Sequence, residues 1–337
     1  MMLNFDEERF LASQRGVLAH GESLHAVVAE HAAHGGDSLF FLGAGGAGIL
    51  MTPATDLLER ESRLRAYCLA PAELMALGST HLNSTSLVVI PSRSGDTKEA
   101  LDVLDYCQER GATVVALTGT AGSPLALRAD VNFTNLVADD NSSESFFLQS
   151  LLIALSVMDV RGEIDDYQAV VSELSGLPEF LLETKRGFES RAPEVAAAIA
   201  DSAYHLIVGA GSTWPEAFYY GMCILEEMQW IRTRPVHAAH FFHGPLELVE
   251  DGVSCLLFKG EDGSAPLVDR VEQFVREYGG RLTILDTSDI ATGMSSRARS
   301  LISPIILATV LERVSAHLEV LRNHPLTTRR YYRKVTY

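Results

Sequence analysis

The sequence predicts an α/β protein made of two tandem units, each a parallel sheet flanked by helices in a doubly wound arrangement. Two observations support this fold class. Short, continuously apolar segments alternate with segments of helical spacing, and three of the apolar segments recur at one offset along the chain. Apolar strands that alternate with helices are typical of parallel sheets covered on both faces.

The recurring segments are three pairs of strand-like runs. LFFLGAGGAG from residue 39 matches HLIVGAGSTW from 205, LVVIPSRSGD from 87 matches CLLFKGEDGS from 255, and TVVALT from 113 matches RLTILD from 281. The offsets are 166, 168 and 168 residues, and a common offset indicates a duplicated unit. We therefore expect a first unit over 1–165, a second over 166–325, and a C-terminal tail over 326–337.

The helix-like segments follow the strands in both halves. TKEALDVLDYCQERGA ends at Gly111, and PLVDRVEQFVREYGG ends at Gly279 and Gly280, as helices commonly end at glycine. A helical stretch at roughly 146–200 is expected to join the two units.

Composition limits the classes of partner. The chain has 337 residues, is 47% hydrophobic and carries a net charge of −17, with no run of Lys or Arg longer than two. This length supports about two domains with ample core. The acidity argues against nucleic acid and anionic membranes as partners, but a locally positive site could still bind a small anion.

The cysteines and the chain's apolar runs indicate a cytoplasmic protein. Four widely spaced cysteines lie inside apolar runs, which favours buried free thiols over disulfides. The N-terminal MMLNFDEERF has acids where a signal peptide has bases. The longest apolar run, LISPIILATVL, is interrupted by Ser303, Pro304 and Thr309 and is too short to span a bilayer.

A loop rich in hydroxyl groups follows the second matched strand of the first half. In PSRSGDTKEA, three hydroxyl side chains and an arginine surround Gly95, which lets the backbone approach a ligand closely. A helix begins just after the loop, and helix N-termini favour phosphate. The candidate phosphate-binding residues are Ser92, Arg93, Ser94 and Thr97.

A structural role for this loop remains open, because Asp96 followed by Glu99 resembles a helix capping box. The matching loop of the second half, KGEDGSA, has one serine and two acids and is a poor phosphate cradle. The turns GAGGAG and GAGST are weak matches to a dinucleotide-binding pattern, and no Walker A motif is present.

Two adjacent glutamates stand out near the end of a predicted buried helix, PEAFYYGMCILEEMQWI, over 215–231. Burial, a neighbouring like charge and a helix C-terminus all raise a carboxyl pKa, which suits a proton-transferring base. The alternative is that one of Glu226 and Glu227 reaches solvent while the other pairs with Arg232 or Arg234.

Three histidines lie three residues apart in HAAHFFHGPLELV. On one helix, His237, His240 and His243 would point in different directions, so they are a poor metal site, and no nearby Cys or carboxylate pattern completes a zinc set. Gly244 and Pro245 end any helix, which leaves His243 in a loop where it can point into a site.

Together these motifs resemble the SIS (sugar isomerase) domain family. The resemblance rests on the duplicated units, on SRSGDT, and on Glu227 followed sixteen residues later by HGPLELV. It extends to the isomerase half of glucosamine-6-phosphate synthase and, through CILEEMQWI, HAAHFFHGPLELVEDG and RRYYRKVTY, more closely to the fructosamine-6-phosphate deglycases. The synthase has hydroxyl residues at the first glycine turn, whereas this chain has Ala44 and Gly45, and it lacks a glutaminase segment.

The resemblance implies a role for each candidate residue. Glu227 would be the catalytic base and His243 the ring-opening residue, while the serine–threonine loop would hold the sugar phosphate. Gly45 and Ser142 would line the sugar. The tail would form a lid over the active site through Arg330, Tyr331, Tyr332, Arg333 and Lys334. No metal or other cofactor is implied, and a homodimer or larger homo-oligomer with shared active sites is expected.

The implied activity is a deglycase that splits a 6-phosphorylated fructosyl amino acid with water into glucose 6-phosphate and the free amino acid. A sugar-phosphate isomerase with the same base is the first alternative. A non-catalytic sugar-phosphate sensor is the second, although the short, acidic N-terminus offers no DNA-binding helix-turn-helix. A structural protein is the third, and it would leave Glu227 unexplained.

Overall fold

The computed structural model describes residues 2–135, 143–332 and 334–335. These residues form two compact units. The first unit comprises residues 8–135 and 143–178, and the second comprises residues 2–7 together with the described residues from 179 onward.

The first unit contains a five-stranded sheet in which every neighbouring pair is parallel. Its strands are β1 (Ser38–Phe41), β2 (Arg65–Cys68), β3 (Ser86–Ser92), β4 (Thr113–Thr118) and β5 (Val131–Thr134), in the order β2-β1-β3-β4-β5. Its helices are α1 (Glu7–Ala19), α2 (Gly21–Ala33), α3 (Gly46–Ile49), α4 (Thr52–Glu61), α5 (Pro71–Leu77), α6 (Lys98–Gln108), α7 (Pro124–Arg128), α8 (Glu144–Val160) and α9 (Tyr167–Leu174).

The second unit contains a four-stranded parallel sheet. Its strands are β6 (Tyr204–Gly209), β7 (Arg232–His237), β8 (Ser254–Lys259) and β9 (Arg281–Asp286), in the order β7-β6-β8-β9. The α-helices that follow α9 are α10 (Leu177–Phe188), α11 (Ala192–Ala200), α12 (Trp214–Tyr219), α13 (Ala238–Phe241), α14 (Ala265–Glu277), α15 (Thr287–Ile290) and α16 (Ser296–Arg322). A π-helix covers Tyr220–Met228, and 3₁₀ turns cover Gly211–Thr213 and Pro245–Leu248.

The two sheets confirm the α/β fold class and the duplication. The three matched pairs of sequence segments form β1 and β6, β3 and β8, and β4 and β9, which occupy corresponding places in the two strand orders. The helical stretch predicted at 146–200 is α8 to α11. The predicted helices after β3 and β8 are α6 and α14, and Gly111 and Gly279 follow them with positive φ of 76° and 78°.

Each unit has an apolar core around its sheet, and every residue of β3 is buried. One long, apolar helix accompanies each core. Residues 144–158 of α8 are all buried, as are most residues from 298 to 318 of α16. Burial of complete apolar strands supplies the main driving force for this arrangement.

The apolar run LISPIILATVL lies inside α16, which is much longer than the run itself. The helix continues through Pro304, and the Ser303 hydroxyl donates to the Arg299 carbonyl at 2.9 Å. Within the described residues, α16 is the one helix long and apolar enough to cross a membrane, and 89% of its apolar window is buried inside the protein. Its burial is that of a core helix of the second unit.

Candidate functional site

The hydroxyl-rich loop of the first unit joins the carboxyl end of β3 to the start of α6. Thr97 is the N-cap of α6, and its side chain makes no capping hydrogen bond. The Asp96 carboxylate instead accepts the hydroxyl hydrogen of Ser94. The capping-box interpretation of Asp96 and Glu99 is therefore wrong, and the helix start retains backbone N–H groups that suit an anion.

The loop is held in shape by its own backbone and by the neighbouring turn. The Ser92 hydroxyl accepts a hydrogen bond from the Gly95 amide at 3.1 Å, and the Gly95 carbonyl accepts one from the Leu125 amide at 2.9 Å. Gly95 has φ of +65°, and a Cβ there would lie 2.1 Å from Ser123 Oγ. A side chain at this position would be strained and would clash, so this loop conformation requires glycine. Arg93 is exposed at the same edge.

The first glycine turn lies at the carboxyl end of β1. Gly45, the residue predicted to contact the sugar, is exposed at the start of α3 with φ of +57°, and an added Cβ would meet no atom within 4 Å. The backbone conformation rather than close packing explains a glycine here. Ser142, the second predicted sugar residue, lies outside the described residues.

The corresponding loop of the second unit is closed by its own carboxylate. Asp262 accepts the backbone amides of Ser212 at 2.8 Å and Ser264 at 2.9 Å, together with the Ser264 hydroxyl. Partial burial would raise the pKa of Asp262, but these hydrogen bonds outweigh burial and hold it below its ordinary value. The Asp262 carboxylate thus accepts hydrogen bonds from backbone amides that could otherwise bind an anionic ligand. This agrees with the expectation that KGEDGSA is a poor phosphate-binding loop.

The segment predicted as one buried helix over 215–231 is α12 followed by the π-helix Tyr220–Met228. The wide turn of a π-helix is seen where this segment ends: the Gln229 amide donates to the Ile224 carbonyl, five residues earlier, at 3.1 Å. A Cβ on Gly221 would lie 2.8 Å from Pro235 Cγ, so the π-helix packs closely on β7. Segments of π-helix are rare and often occur at functional sites.

The two adjacent glutamates of the π-helix have different surroundings. The carboxylate of Glu226 is exposed and accepts from the Thr233 hydroxyl at 2.7 Å and the Thr233 amide at 3.3 Å, on β7. Glu227 accepts from Arg329 Nε at 2.8 Å. One glutamate therefore reaches solvent and the other forms an ion pair, but the partner is Arg329 of the tail and not Arg232 or Arg234.

The histidine segment follows the carboxyl end of β7. The His237 Nδ1 accepts from the Ala239 amide at 3.1 Å and begins α13, and burial lowers the pKa of His237, with His240 nearby adding to the effect. α13 ends before His243, as predicted from Gly244 and Pro245. His243 is exposed, and its imidazole has no hydrogen-bonding partner among the described residues. Within the same part of the chain, no group of three or more His, Cys, Asp and Glu side chains could hold a metal ion.

The tail predicted as a lid folds back on the second unit. The Arg330 guanidinium lies 3.9 Å from the centre of the Trp230 ring, while Tyr331 and Tyr332 are exposed. The Lys334 amine donates to the Arg329 carbonyl. Arg333, also predicted for the lid, lies outside the described residues.

Sequence patterns missed the residue that meets Glu227. Arg329 was one of several cations in the tail, and 102 positions separate it from the glutamate. The concentration of cations in an acidic chain signals a contact with a carboxylate, but it does not identify which cation makes the contact.

Comparisons with known proteins agree with this architecture. Residues 64–159 match the SIS domain. The chain is 29% identical to the fructosamine deglycase of Bacillus subtilis (strain 168), over 89% of this chain and 93% of that protein. It is 25% identical to the fructoselysine 6-phosphate deglycase of Escherichia coli K12, over 96% of this chain and 94% of that protein.

More distant matches extend the same likeness. A glutamine–fructose-6-phosphate aminotransferase of Brucella abortus is 24% identical over 71% of this chain, which corresponds to 42% of that protein. Among solved structures, a candidate phosphosugar isomerase from Salmonella typhimurium LT2 superposes with a TM-score of 0.86 at 26% identity, covering 94% of this chain and 97% of that one. The expected resemblance to the deglycases and to the synthase is confirmed.

Proposed function

We propose that this SIS-domain protein is a deglycase that acts on a 6-phosphorylated fructosyl amino acid and releases glucose 6-phosphate and the free amino acid. The observation that carries the proposal is the similarity to two deglycases over nearly the full length of each chain. The same two matches and the SIS domain at residues 64–159 support a sugar-phosphate enzyme.

The first unit would hold the sugar phosphate. The loop between β3 and α6 combines an uncapped helix start with the hydroxyls of Ser94 and Thr97 and with an exposed Arg93. Backbone amides and hydroxyls that point to an anion form charge-assisted hydrogen bonds, which are stronger than neutral ones. The Ser92 hydroxyl accepts within the loop and can still donate its hydrogen. Gly45 and Ser142 would contact the sugar.

The second unit would carry the proton transfers. His243 assists opening of the sugar ring, and the Glu227 carboxylate removes a proton from C1, the carbon that bears the amine. The electron pair moves toward the C2 carbonyl and gives an enaminol. Return of a proton at C2 produces an imine at C1, which water hydrolyses to the aldehyde and the free amine. Because the C2 carbonyl takes up the charge, this route uses no cofactor.

The tail would act as a lid, and the assembly would be a homodimer or larger, in which the histidine segment of one subunit contributes to the site of another. The lid would exclude water while the enaminol exists. A cytoplasmic location accords with four free cysteines, three of which are buried.

A sugar-phosphate isomerase is the second candidate, and the similarity to the Salmonella typhimurium structure favours it. One assay separates the two functions. Phosphorylated fructosyl derivatives of several amino acids are incubated with the protein, and glucose 6-phosphate is measured, with fructose 6-phosphate as a parallel substrate. The deglycase proposal expects glucose 6-phosphate together with free amine. Turnover of fructose 6-phosphate alone would support the isomerase.

A further inference from the structure

The Arg329 guanidinium is the most closely constrained cation beside the proposed base. Its side chain is 11% exposed, its Nη1 donates to the carbonyls of Leu326 at 2.5 Å and Thr328 at 3.1 Å, and its Nε donates to Glu227 Oε1 at 2.8 Å. The two carbonyls fix the plane of the guanidinium through the tail's own backbone. The Nε–H direction is therefore set by the fold of the tail rather than by Glu227.

The turn that carries Arg329 is fastened to the end of the π-helix. The Gln229 side-chain amide donates to the His324 carbonyl at 2.7 Å, and Arg322 Nη1 donates to the Gln229 carbonyl at 2.6 Å. Trp230 has φ of +56°, an unfavourable conformation for a bulky residue, and its ring packs edge-on against His324 with centroids 4.5 Å apart. The start of the tail and the segment beside Glu227 thus form one connected structure.

The ion pair occupies only half of the Glu227 carboxylate. Oε1 accepts from Arg329, whereas Oε2 accepts no hydrogen bond from any residue in the described part of the chain, and the side chain is 36% exposed. A carboxylate held by one oxygen has a defined orientation and keeps the other oxygen for proton transfer.

We propose that Arg329 is a positioning residue for the proton transfer: it fixes Oε1 of Glu227 so that Oε2 faces the substrate carbon. This inference rests on the proposed function, because it assigns the tail a role at that site. The competing explanation is that the ion pair merely docks the tail, since a single ion pair in partial contact with water contributes little to stability.

Kinetics on the full-length protein separate positioning from docking. Arg329→Gln removes the charge, Arg329→Lys keeps a charge without the planar geometry, and Arg186→Gln removes a guanidinium from an exposed ion pair with Glu7 as a matched control. We expect Arg329→Gln to lower kcat about 10- to 100-fold with KM changed less than about threefold, because misplacement of a catalytic group by about 1 Å can cost about 100-fold. Arg329→Lys should recover part of the loss, and Arg186→Gln should match the wild type.

A second measurement does not depend on activity. Hydrogen exchange of the amides of Thr328 and Lys334, which are bonded within the tail, is compared in the wild type, Glu227→Ala and Glu226→Ala. The inference expects exchange within about threefold of the wild type in both variants, because the tail's own carbonyls hold Arg329; docking by the ion pair expects exchange about tenfold faster in Glu227→Ala alone.

The outcomes distinguish this inference from the proposed function. If no phosphorylated substrate is turned over by the wild type, the proposed function fails, and the exchange data still decide whether the tail holds Arg329 independently of Glu227. If the wild type is active but Arg329→Gln retains its kcat, or if tail exchange is about tenfold faster in Glu227→Ala than in the wild type, Arg329 does not position the base.

Discussion

Arg329 Nε lies 2.8 Å from Glu227 Oε1, which joins the C-terminal tail to the π-helix across 102 positions of sequence. The adjacent Glu226 has a different partner, Thr233 of β7. The two glutamates are therefore not equivalent, although they are neighbours in a helix of apolar residues. Among the described residues each glutamate is held through Oε1 and keeps Oε2 without a hydrogen bond, but only Glu227 is held by a cation of the tail.

Removal of the proposed base, Glu227, is the first test of this difference. Glu227→Gln should retain the fold and lower turnover by about 100-fold or more, the usual contribution of a general base. Glu226→Gln is the matched control and should retain near wild-type turnover, since its carboxylate is bonded to β7. Steady-state assays of both variants, with circular dichroism to confirm folding, check this. Near wild-type turnover in folded Glu227→Gln would transfer the assignment to Glu226.

The proposed phosphate-binding loop, between β3 and α6, gives a prediction about substrate affinity. Ser94→Ala and Thr97→Ala should each raise KM for the phosphorylated substrate about 10- to 100-fold, because each removes a charge-assisted hydrogen bond worth about 1.5–3 kcal/mol. Ser264→Ala in the corresponding loop of the second unit is the control, since Asp262 already fills that loop. If Ser94→Ala and Thr97→Ala leave KM unchanged, the loop does not bind the phosphate.

The sequence predicted β1, β3, β4, β6, β8 and β9, the duplication, and the helical segments that form α6, α8 to α11 and α14, because continuous apolar runs, helical spacing and a common offset can be read along the chain. It did not predict β2, β5 and β7, which carry no such matched run. It did not predict the π-helix, since the wider turns depend on the packing of Gly221 against β7. It also could not identify Arg329 as the partner of Glu227, because that contact depends on the path of the tail after α16.

A buried ion network in the second unit gives a stability prediction. Arg313 has a fully buried side chain and donates to both oxygens of Glu189, at 2.7 and 3.2 Å, and Glu189 also accepts from the Leu3 amide at 2.9 Å. Glu189→Ala leaves a buried guanidinium without its main partner and should lower the free energy of unfolding by about 3–5 kcal/mol in urea titrations. Glu183→Ala, from an exposed pair with Arg186, should change it by less than about 1 kcal/mol. Equal effects of the two changes would contradict this account.

His205 makes stability depend on pH. Burial lowers the pKa of His205 from its ordinary 6.5 to about 4, and its Nδ1 lies 2.8 Å from Ser254 Oγ. As pH falls, the unfolded chain takes up the proton first. The contribution is therefore fully present above pH 6.5 and is lost between pH 6.5 and about 4. A shift of this size corresponds to about 3 kcal/mol.

Urea unfolding across that pH range checks the contribution of His205. His205→Asn should flatten the pH dependence relative to the wild type, whereas the same change at the exposed His34 should preserve it. An unaltered slope in His205→Asn would show that other groups control acid stability.

The central claim is that the amine leaves after a proton is removed from C1, and isotope labelling tests it most directly. A fructosyl amino acid 6-phosphate with two deuterium atoms at C1 is converted by the enzyme, and the sugar product is analysed by mass spectrometry and NMR. The account predicts free amino acid and glucose 6-phosphate with a single deuterium at C1. Fructose 6-phosphate that retains both deuterium atoms would indicate direct cleavage of the carbon–nitrogen bond and would contradict it.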